Sequence, residues 1–282
     1  MKRLTVVPHG GLCNRLRVLL SALHVSRQLA DVQVDVVWAR RAECGADFAA
    51  LFQPIKAVGF GVRRGAFWLT PVNRRNAHVP ALLRSCRFDK QIALYHPSRD
   101  EGVEALLQRY DRLYLSTPYA LCPYPPALAQ QLRPTAALQA EIDACLQRFG
   151  LDASAPSLGV HIRRTDNVQA QAVSSLEAFR EGIRQFLQHY PQGIVFVASD
   201  EPVVATALAA TFGEAVRFRP AESVQRARSE DIMGAVVDLY VLSACTYVLG
   251  SYWSSFSDMA AELGGKELIV AGKSNVKDFI RL

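Results

Sequence analysis

The sequence predicts an α/β chain built as two parallel-sheet units, and three observations carry that expectation. Strand-length apolar runs alternate with helix-length amphipathic runs along most of the chain, the pattern of strands joined by helical crossovers. With 282 residues, 50% of them hydrophobic, there is material for one large or two ordinary domains. Gly150 and a polar segment at 152–157 interrupt the alternation, so the boundary is expected there, between units 1–150 and 151–282.

In the first half, the apolar run 4–7 reads as a strand and leads into a glycine loop at 9–13. A helix is expected over 14–29, with Leu16, Leu19, Leu20, Leu23 and Val25 as its apolar face. A strand at 34–38 and a short helix near 47–52 follow. Residues 54–105 are rich in Arg, Pro and aromatics, with weak periodicity, and predict no secure element. Another strand is expected at 112–115. Residues 116–134 hold five prolines and read as a loop, either part of an acceptor wall or a linker.

The second half is more regular. A helix at 135–149 stops at Gly150, and the apolar run 157–162 reads as a buried strand. Helix 175–189, strand 194–198, helix 202–212 and a short strand near 216–218 continue the alternation. Helix 230–243, strand 247–250, helix 254–263, strand 267–270 and a last helix at 274–282 complete it.

Composition narrows the function classes. No stretch reaches the roughly 18 uninterrupted apolar residues that cross a bilayer, and MKRLTVVPHGG reads as a first strand rather than a signal peptide, so a soluble, cytoplasmic chain is expected. Six scattered cysteines form no CxxC pair, which supports neither zinc nor a disulfide frame. The net charge of +6 would suit nucleic acid, but the Arg pairs at 40–41, 63–64, 74–75 and 163–164 are dispersed among acids, without a nucleic-acid motif. An anionic small ligand, or an acidic or membrane-presented acceptor with peripheral membrane association, explains them as well.

Three constellations carry chemistry. The first is SLGVHIRRTD at 157–166, where Arg163 and Arg164 follow the buried strand. Guanidiniums keep their charge, their forks match phosphate oxygens, and ligands gather beyond the carboxyl ends of strands in open α/β sheets, which points to a pyrophosphate. The other reading pairs Arg164 with Asp166 to cap a loop. The second is PHGGLCNR at 8–15, a close-approach loop before a helix N-terminus, where Asn14 contacts a ligand or acts as a plain N-cap. Its likeness to the strand–RHG segment of histidine phosphatases fails because Pro8 stands where that chemistry needs Arg. The third joins Asp238, whose helix neighbours Val236, Val237, Leu239, Val241 and Leu242 are apolar, to GSYWSSFS at 250–257, whose four serines exceed what one N-cap needs. ASDEP at 198–202 either caps the helix opened by Pro202 through Ser199 or Asp200, or touches the ligand as well.

HIRRTDN, VASDE, DLYVLSAC and GSYWSSFS occur in an order and spacing that resembles the bacterial and animal α1,6-fucosyltransferases and protein O-fucosyltransferases, with GGLCNRLR similar to their N-terminal Gly-Asn loop. The resemblance covers the C-terminal half and the first thirty residues, with nothing alignable over 54–150. It implies two Rossmann-like domains facing across a cleft (GT-B type), the first acceptor-side and the second binding a GDP-sugar, and transfer from GDP-fucose with inversion and without a metal or other cofactor. Carried onto this sequence, it implies that His161 and Asp238 contact guanine and that Arg163 holds the pyrophosphate with Ser254 and Ser255. Arg164 and Asp166 would shape the loop near the sugar, Gly11 and Asn14 would approach the donor, and Ser199 and Asp200 would lie along the nucleotide. Asn167 and Gln171 stand where the α1,6 enzymes carry Lys and Glu, so a base carried by that Glu is absent.

The expected activity is therefore that of a bacterial fucosyltransferase acting on a glycan, lipid-linked or protein acceptor, with His9, Asp166, Glu43 and Asp47 as candidate bases. The alternatives are a transferase using another GDP-sugar, a non-catalytic sugar-nucleotide or glycan binder, and a basic nucleic-acid-binding protein.

Overall fold

The computed structural model describes residues 1–65, 69, 78–151, 155–164, 168–220 and 225–273. Residues 1–135 with 226–232 form one compact unit, and residues 136–225 with 233–282 form a second.

The first unit carries strands β1 (Lys2–Pro8), β2 (Val32–Trp38), β3 (Phe60–Arg64), β4 (Lys90–Ile92) and β5 (Arg112–Thr117). All neighbours are parallel, in the order β3-β2-β1-β5-β4. The apolar runs that predicted β1, β2 and β5 became its centre, because strands covered on both faces must be apolar on both. Between them lie helices α1 (Leu12–Gln28), α2 (Phe48–Leu51), α3 (His78–Ser85) and α4 (Val103–Arg109). Leu16, Leu19, Leu20 and Leu23 of α1 are fully buried, each contributing about 1.5–3 kcal/mol relative to exposure.

Among the described residues of 54–109, the elements that sequence patterning did not predict are β3, α3, β4 and α4. The two strands are the sheet's edges, where half-exposed, charged residues blur any period. Arg63 on β3 donates to Asp35 Oδ1 on β2 at 2.8 Å, so a buried carboxylate is neutralised from the edge. The proline-rich segment 116–134 is no linker. Leu121, Leu128, Ala129 and Leu132 are buried, and Ser21 Oγ on α1 accepts from Leu121 N at 2.8 Å.

The second unit carries β6 (Ser157–Ile162), β7 (Ile194–Ser199), β8 (Val216–Phe218), β9 (Tyr247–Gly250) and β10 (Leu268–Val270), again all parallel, in the order β10-β9-β6-β7-β8. Its helices are α5 (Ala136–Phe149), α6 (Val168–Val173), α7 (Leu176–His189), α8 (Pro202–Phe212), α9 (Ser229–Ala244) and α10 (Ser255–Leu263). The expected boundary near 150 moves to 135–136. Helix α5 buries Leu138, Ile142 and Phe149, and the Phe149 ring packs on Phe196 of β7 with centroids 5.6 Å apart. Helix α6 was not predicted, and the helix expected over 274–282 lies outside the described residues. No helix among the described residues is long and apolar enough to cross a membrane.

In both sheets the chain starts at the central strand and later crosses to its other side. The switch points lie between β1 and β5 and between β6 and β9. The carboxyl ends of these strands are where such sheets take ligands.

Candidate functional site

At the second switch point, β6 ends in Arg163 and Arg164, while β9 ends in the turn that opens α10. Gly250 makes the junction feasible, since a Cβ there would lie 2.4 Å from Ser257 Cβ. That closeness lets Ser257 Oγ reach His161 Nδ1 at 2.7 Å and accept from Ser251 N at 3.2 Å. Ser251 Oγ accepts from Arg163 N at 2.9 Å and donates to His161 O at 3.4 Å. Ser257 and Ser251 therefore join the two strand ends, and the four-serine motif divides into two jobs.

The other pair, Ser254 and Ser255, starts α10. Ser254 is the N-cap residue of α10 and is fully buried, yet its Oγ caps nothing and has no hydrogen-bond partner. Ser255 opens the helix and is half-buried. Trp253, just before them, holds φ at 52°, a left-handed backbone that bulky residues rarely adopt, and leaves 70% of its surface exposed.

His161 is buried, and its ring stacks on Phe256 with centroids 4.5 Å apart. Arg163 and Arg164 are half-buried at the end of β6. Arg164 N donates to Asp200 Oδ1 at 2.7 Å, and its guanidinium pairs with Glu201 Oε2 at 3.7 Å. Gln171 Nε2 donates to Arg164 O, an unforeseen tie between α6 and this loop. Asp166 lies outside the described residues, as does Asn167. Neither Ser199 nor Asp200 is the N-cap of α8, which is Glu201. Ser199 Oγ accepts from Glu201 N at 3.1 Å in the turn before it.

Asp238 on α9 does find a partner, one with no local signature in the sequence. Arg219, beyond β8, donates from Nε to Asp238 Oδ1 at 2.8 Å. Burial pushes the Asp238 carboxyl up from its ordinary range, and Arg219 opposes that shift.

At the first switch point, Gly10 takes φ +82°, and α1 begins at once, with Gly11 as its N-cap residue. Asn14 is thus not the N-cap but sits in the helix's first turn, because Arg15 N already closes that turn onto Gly11 O at 3.2 Å. The Arg15 side chain is fully buried, donating to Gly10 O at 2.8 Å and Ala39 O at 2.5 Å, over the Trp38 ring. His9 N donates to Thr117 O, tying β1 to β5, while His9 Nε2 is buried without a partner. Desolvation first, then Arg41 and Arg15, lowers the His9 pKa, with Glu43 opposing, so the ring is neutral at pH 7. Asp47 pairs with Arg64 at 3.5 Å, and Glu43 is exposed. Among the described residues no three His, Cys, Asp or Glu side chains gather as a metal site.

The sequence model of the alpha-(1,6)-fucosyltransferase N- and catalytic domains matches residues 127–268, half of the chain. The chain belongs to this fucosyltransferase family. The matched range runs from before α5 to the start of β10, so likeness to the family extends into 127–150, where none was expected. The alpha-(1,6)-fucosyltransferase of Caenorhabditis elegans is 27% identical over 160 residues, covering 50% of this chain and 28% of the worm protein. The match therefore spans little more than a quarter of that relative's length.

Solved structures share the fold of this fucosyltransferase chain. NodZ from Bradyrhizobium is 17% identical, with TM-score 0.60 and coverage of 92% of each chain. NodZ soaked with GDP-fucose has TM-score 0.61, 17% identity, and coverage of 93% of this chain and 92% of NodZ. POFUT1 in complex with GDP has TM-score 0.60 at 12% identity, covering 96% of this chain and 98% of POFUT1. The α/β fold of two Rossmann-like parallel sheets expected from the sequence is the one these relatives carry.

Proposed function

We propose that this chain transfers fucose from GDP-fucose to a hydroxyl of a glycan or glycoconjugate acceptor, with inversion and without a metal in the step. The observation that carries this reading is the second unit's switch point, where the Arg163–Arg164 loop adjoins a helix start bearing the buried, unpartnered Ser254 hydroxyl. A buried hydroxyl without a partner costs about 1–3 kcal/mol, which a ligand oxygen would remove. Family membership, and relatives solved with GDP or GDP-fucose, support the same donor.

Breaking the sugar–phosphate bond leaves its electron pair on the diphosphate oxygen. The Arg163 guanidinium and the N–H groups that open α10 at Ser254 and Ser255 stabilise that growing charge. Arg164, held by Glu201 and Asp200, shapes the loop beside the sugar. Asp238 accepts from N1–H and the 2-amino group of guanine, with His161 beside it. Ser199 and Asp200 lie along the nucleotide. Neutral His9 takes the acceptor's proton on its unpaired Nε2, in the tautomer protonated at Nδ1. A cytoplasmic setting and a basic surface suited to an acidic or membrane-presented acceptor complete the reading.

One observation favours a second reading, a donor-binding protein without transfer. Gln171 stands where α1,6 relatives carry Glu, and its amide is already engaged by Arg164 O. Calorimetry with GDP and ADP, followed by product detection with GDP-fucose, other GDP-sugars and a panel of acceptors, separates the two. Selective GDP binding with transfer supports the transferase; binding without turnover of any donor supports the second reading; absence of GDP binding overturns both.

A further inference from the structure

The Asp238 carboxylate is held by a clamp that runs through three elements. Arg219 donates from Nε to Asp238 Oδ1 at 2.8 Å, from Nη1 to Glu141 Oε1 of α5 at 3.1 Å, and from Nη2 to Gly234 O of α9 at 2.8 Å. All three nitrogens of the fork are thus fixed, and its rigid plane transmits that fixation to the carboxylate. The side chains of Arg219 and Asp238 are 20% and 25% exposed, so the pair is largely desolvated. Gly234 lies one helical turn before Asp238, and its lack of a side chain is what admits the guanidinium. A Cβ there would come within 2.7 Å of Arg219 Nη2, closer than carbon and nitrogen can pack.

We propose that Arg219 is a positioning residue for base selection, fixing the plane and the ionised state of the Asp238 carboxylate that receives guanine. The inference rests on the GDP-donor reading above and adds to it a residue 19 positions away in sequence. One lone pair of Oδ1 is taken by Arg219, which leaves the outer lone pair of Oδ1 and all of Oδ2 for the two donors on the guanine edge. Adenine presents no such donor pair, so a carboxylate locked in this plane discriminates, and one free to rotate or protonate does not.

Burial raises the Asp238 pKa, and Arg219 is the counterweight. Among the described residues, the charged and titratable groups around it are Arg219 from beyond β8 and Glu141 and Cys145 from α5. Glu141 pushes in the same direction as burial, so without Arg219 nothing in this set favours the ionised form. The protonated carboxyl has lost an acceptor, and GDP binding then strengthens as rising pH restores it.

The test is calorimetric titration of the full chain with GDP and with ADP across about pH 6 to pH 8, where an undisturbed carboxylate stays ionised. Wild type is expected to prefer GDP with little pH dependence. Arg219→Met is expected to lose about tenfold or more in GDP affinity, as for a hydrogen bond to a charged group, with the loss deepest at the acid end and the GDP-over-ADP preference reduced by the same factor. Gly234→Ala keeps every charge, favours the helix, and displaces only the guanidinium. It is expected to shift preference and pH response in the same direction by less, so the inference stays testable if Arg219→Met does not fold. If the folded variants keep the wild-type preference and pH profile while wild type selects GDP, this inference alone falls. If wild type does not select GDP, the donor reading falls and takes it along.

Discussion

The two switch points are built on the same sheet plan but arm it in opposite ways. In the first unit a cation goes inside. Arg15 is fully buried and donates to two backbone carbonyls, Gly10 O and Ala39 O, fixing the loop between β1 and α1. In the second unit hydroxyls do the fixing. Ser251 and Ser257 satisfy backbone amides and His161, and the arginines at 163 and 164 stay near the surface. A neutral hydroxyl can both donate and accept at little desolvation cost, whereas a guanidinium only donates and is costly to bury. One loop thus uses a buried guanidinium for architecture, and the other uses serines for architecture and leaves its two arginines half-buried at the strand end.

The sharpest way to break the comparison is to remove one arginine from each side. Arg163→Ala should reduce kcat/KM for GDP-fucose by about 10²–10³, or roughly 3–4 kcal/mol of transition-state stabilisation. The tie to Ser251 uses the Arg163 backbone N–H, which alanine keeps. Turnover within a few-fold of wild type would remove Arg163 from the mechanism. Arg15→Met should do the reverse, costing about 2–3 kcal/mol in denaturant unfolding because Gly10 O and Ala39 O lose a charged donor. GDP affinity in the folded protein should hold within a few-fold; a large affinity loss at full stability would mean that both loops serve the ligand.

Two serines sharpen the second half. Ser257→Ala leaves His161 Nδ1 and Ser251 N without their partner and should destabilise the chain by about 1–2 kcal/mol. Ser254→Ala removes a buried hydroxyl that bonds nothing, so the unliganded chain should gain up to about 1–3 kcal/mol of stability while GDP affinity drops several-fold. Equal effects of the two on melting and on titration would erase the division of labour. The smallest effect concerns His9, whose folded pKa lies below its unfolded value near 6.5. The unfolded state then binds the extra proton first, so stability is complete above the unfolded pKa and declines as pH falls toward the folded one. Unfolding midpoints measured along that window should keep a constant separation between wild type and His9→Gln at alkaline pH and change on acidification, with wild type losing more. Parallel curves would place His9 in an unperturbed setting.

The central strands, most long helices and the polar turns after β1, β6, β7 and β9 were legible in the sequence, because a strand covered on both faces leaves an uninterrupted apolar run. The edge strands β3 and β4 were not, since half-exposed residues such as Arg63 and Lys90 answer to partners across the sheet and leave no period along the chain. Asn14 resembled a cap by residue type, but a glycine with φ +82° started the helix three residues sooner. The Glu201 cap of α8 displaced Ser199 and Asp200 for a similar local reason.

What the sequence determined by itself is the list of chemical groups at the end of each strand, because motif order and apolar runs are properties of the chain alone. Only the tertiary structure decided how those groups pair. Arg219 meets Asp238 from 19 residues away and Glu141 from 78, and Ser257 meets His161 across 96. Hydrogen bonds act over about 3 Å, and packing brings such groups that close without leaving a trace in their sequence neighbours.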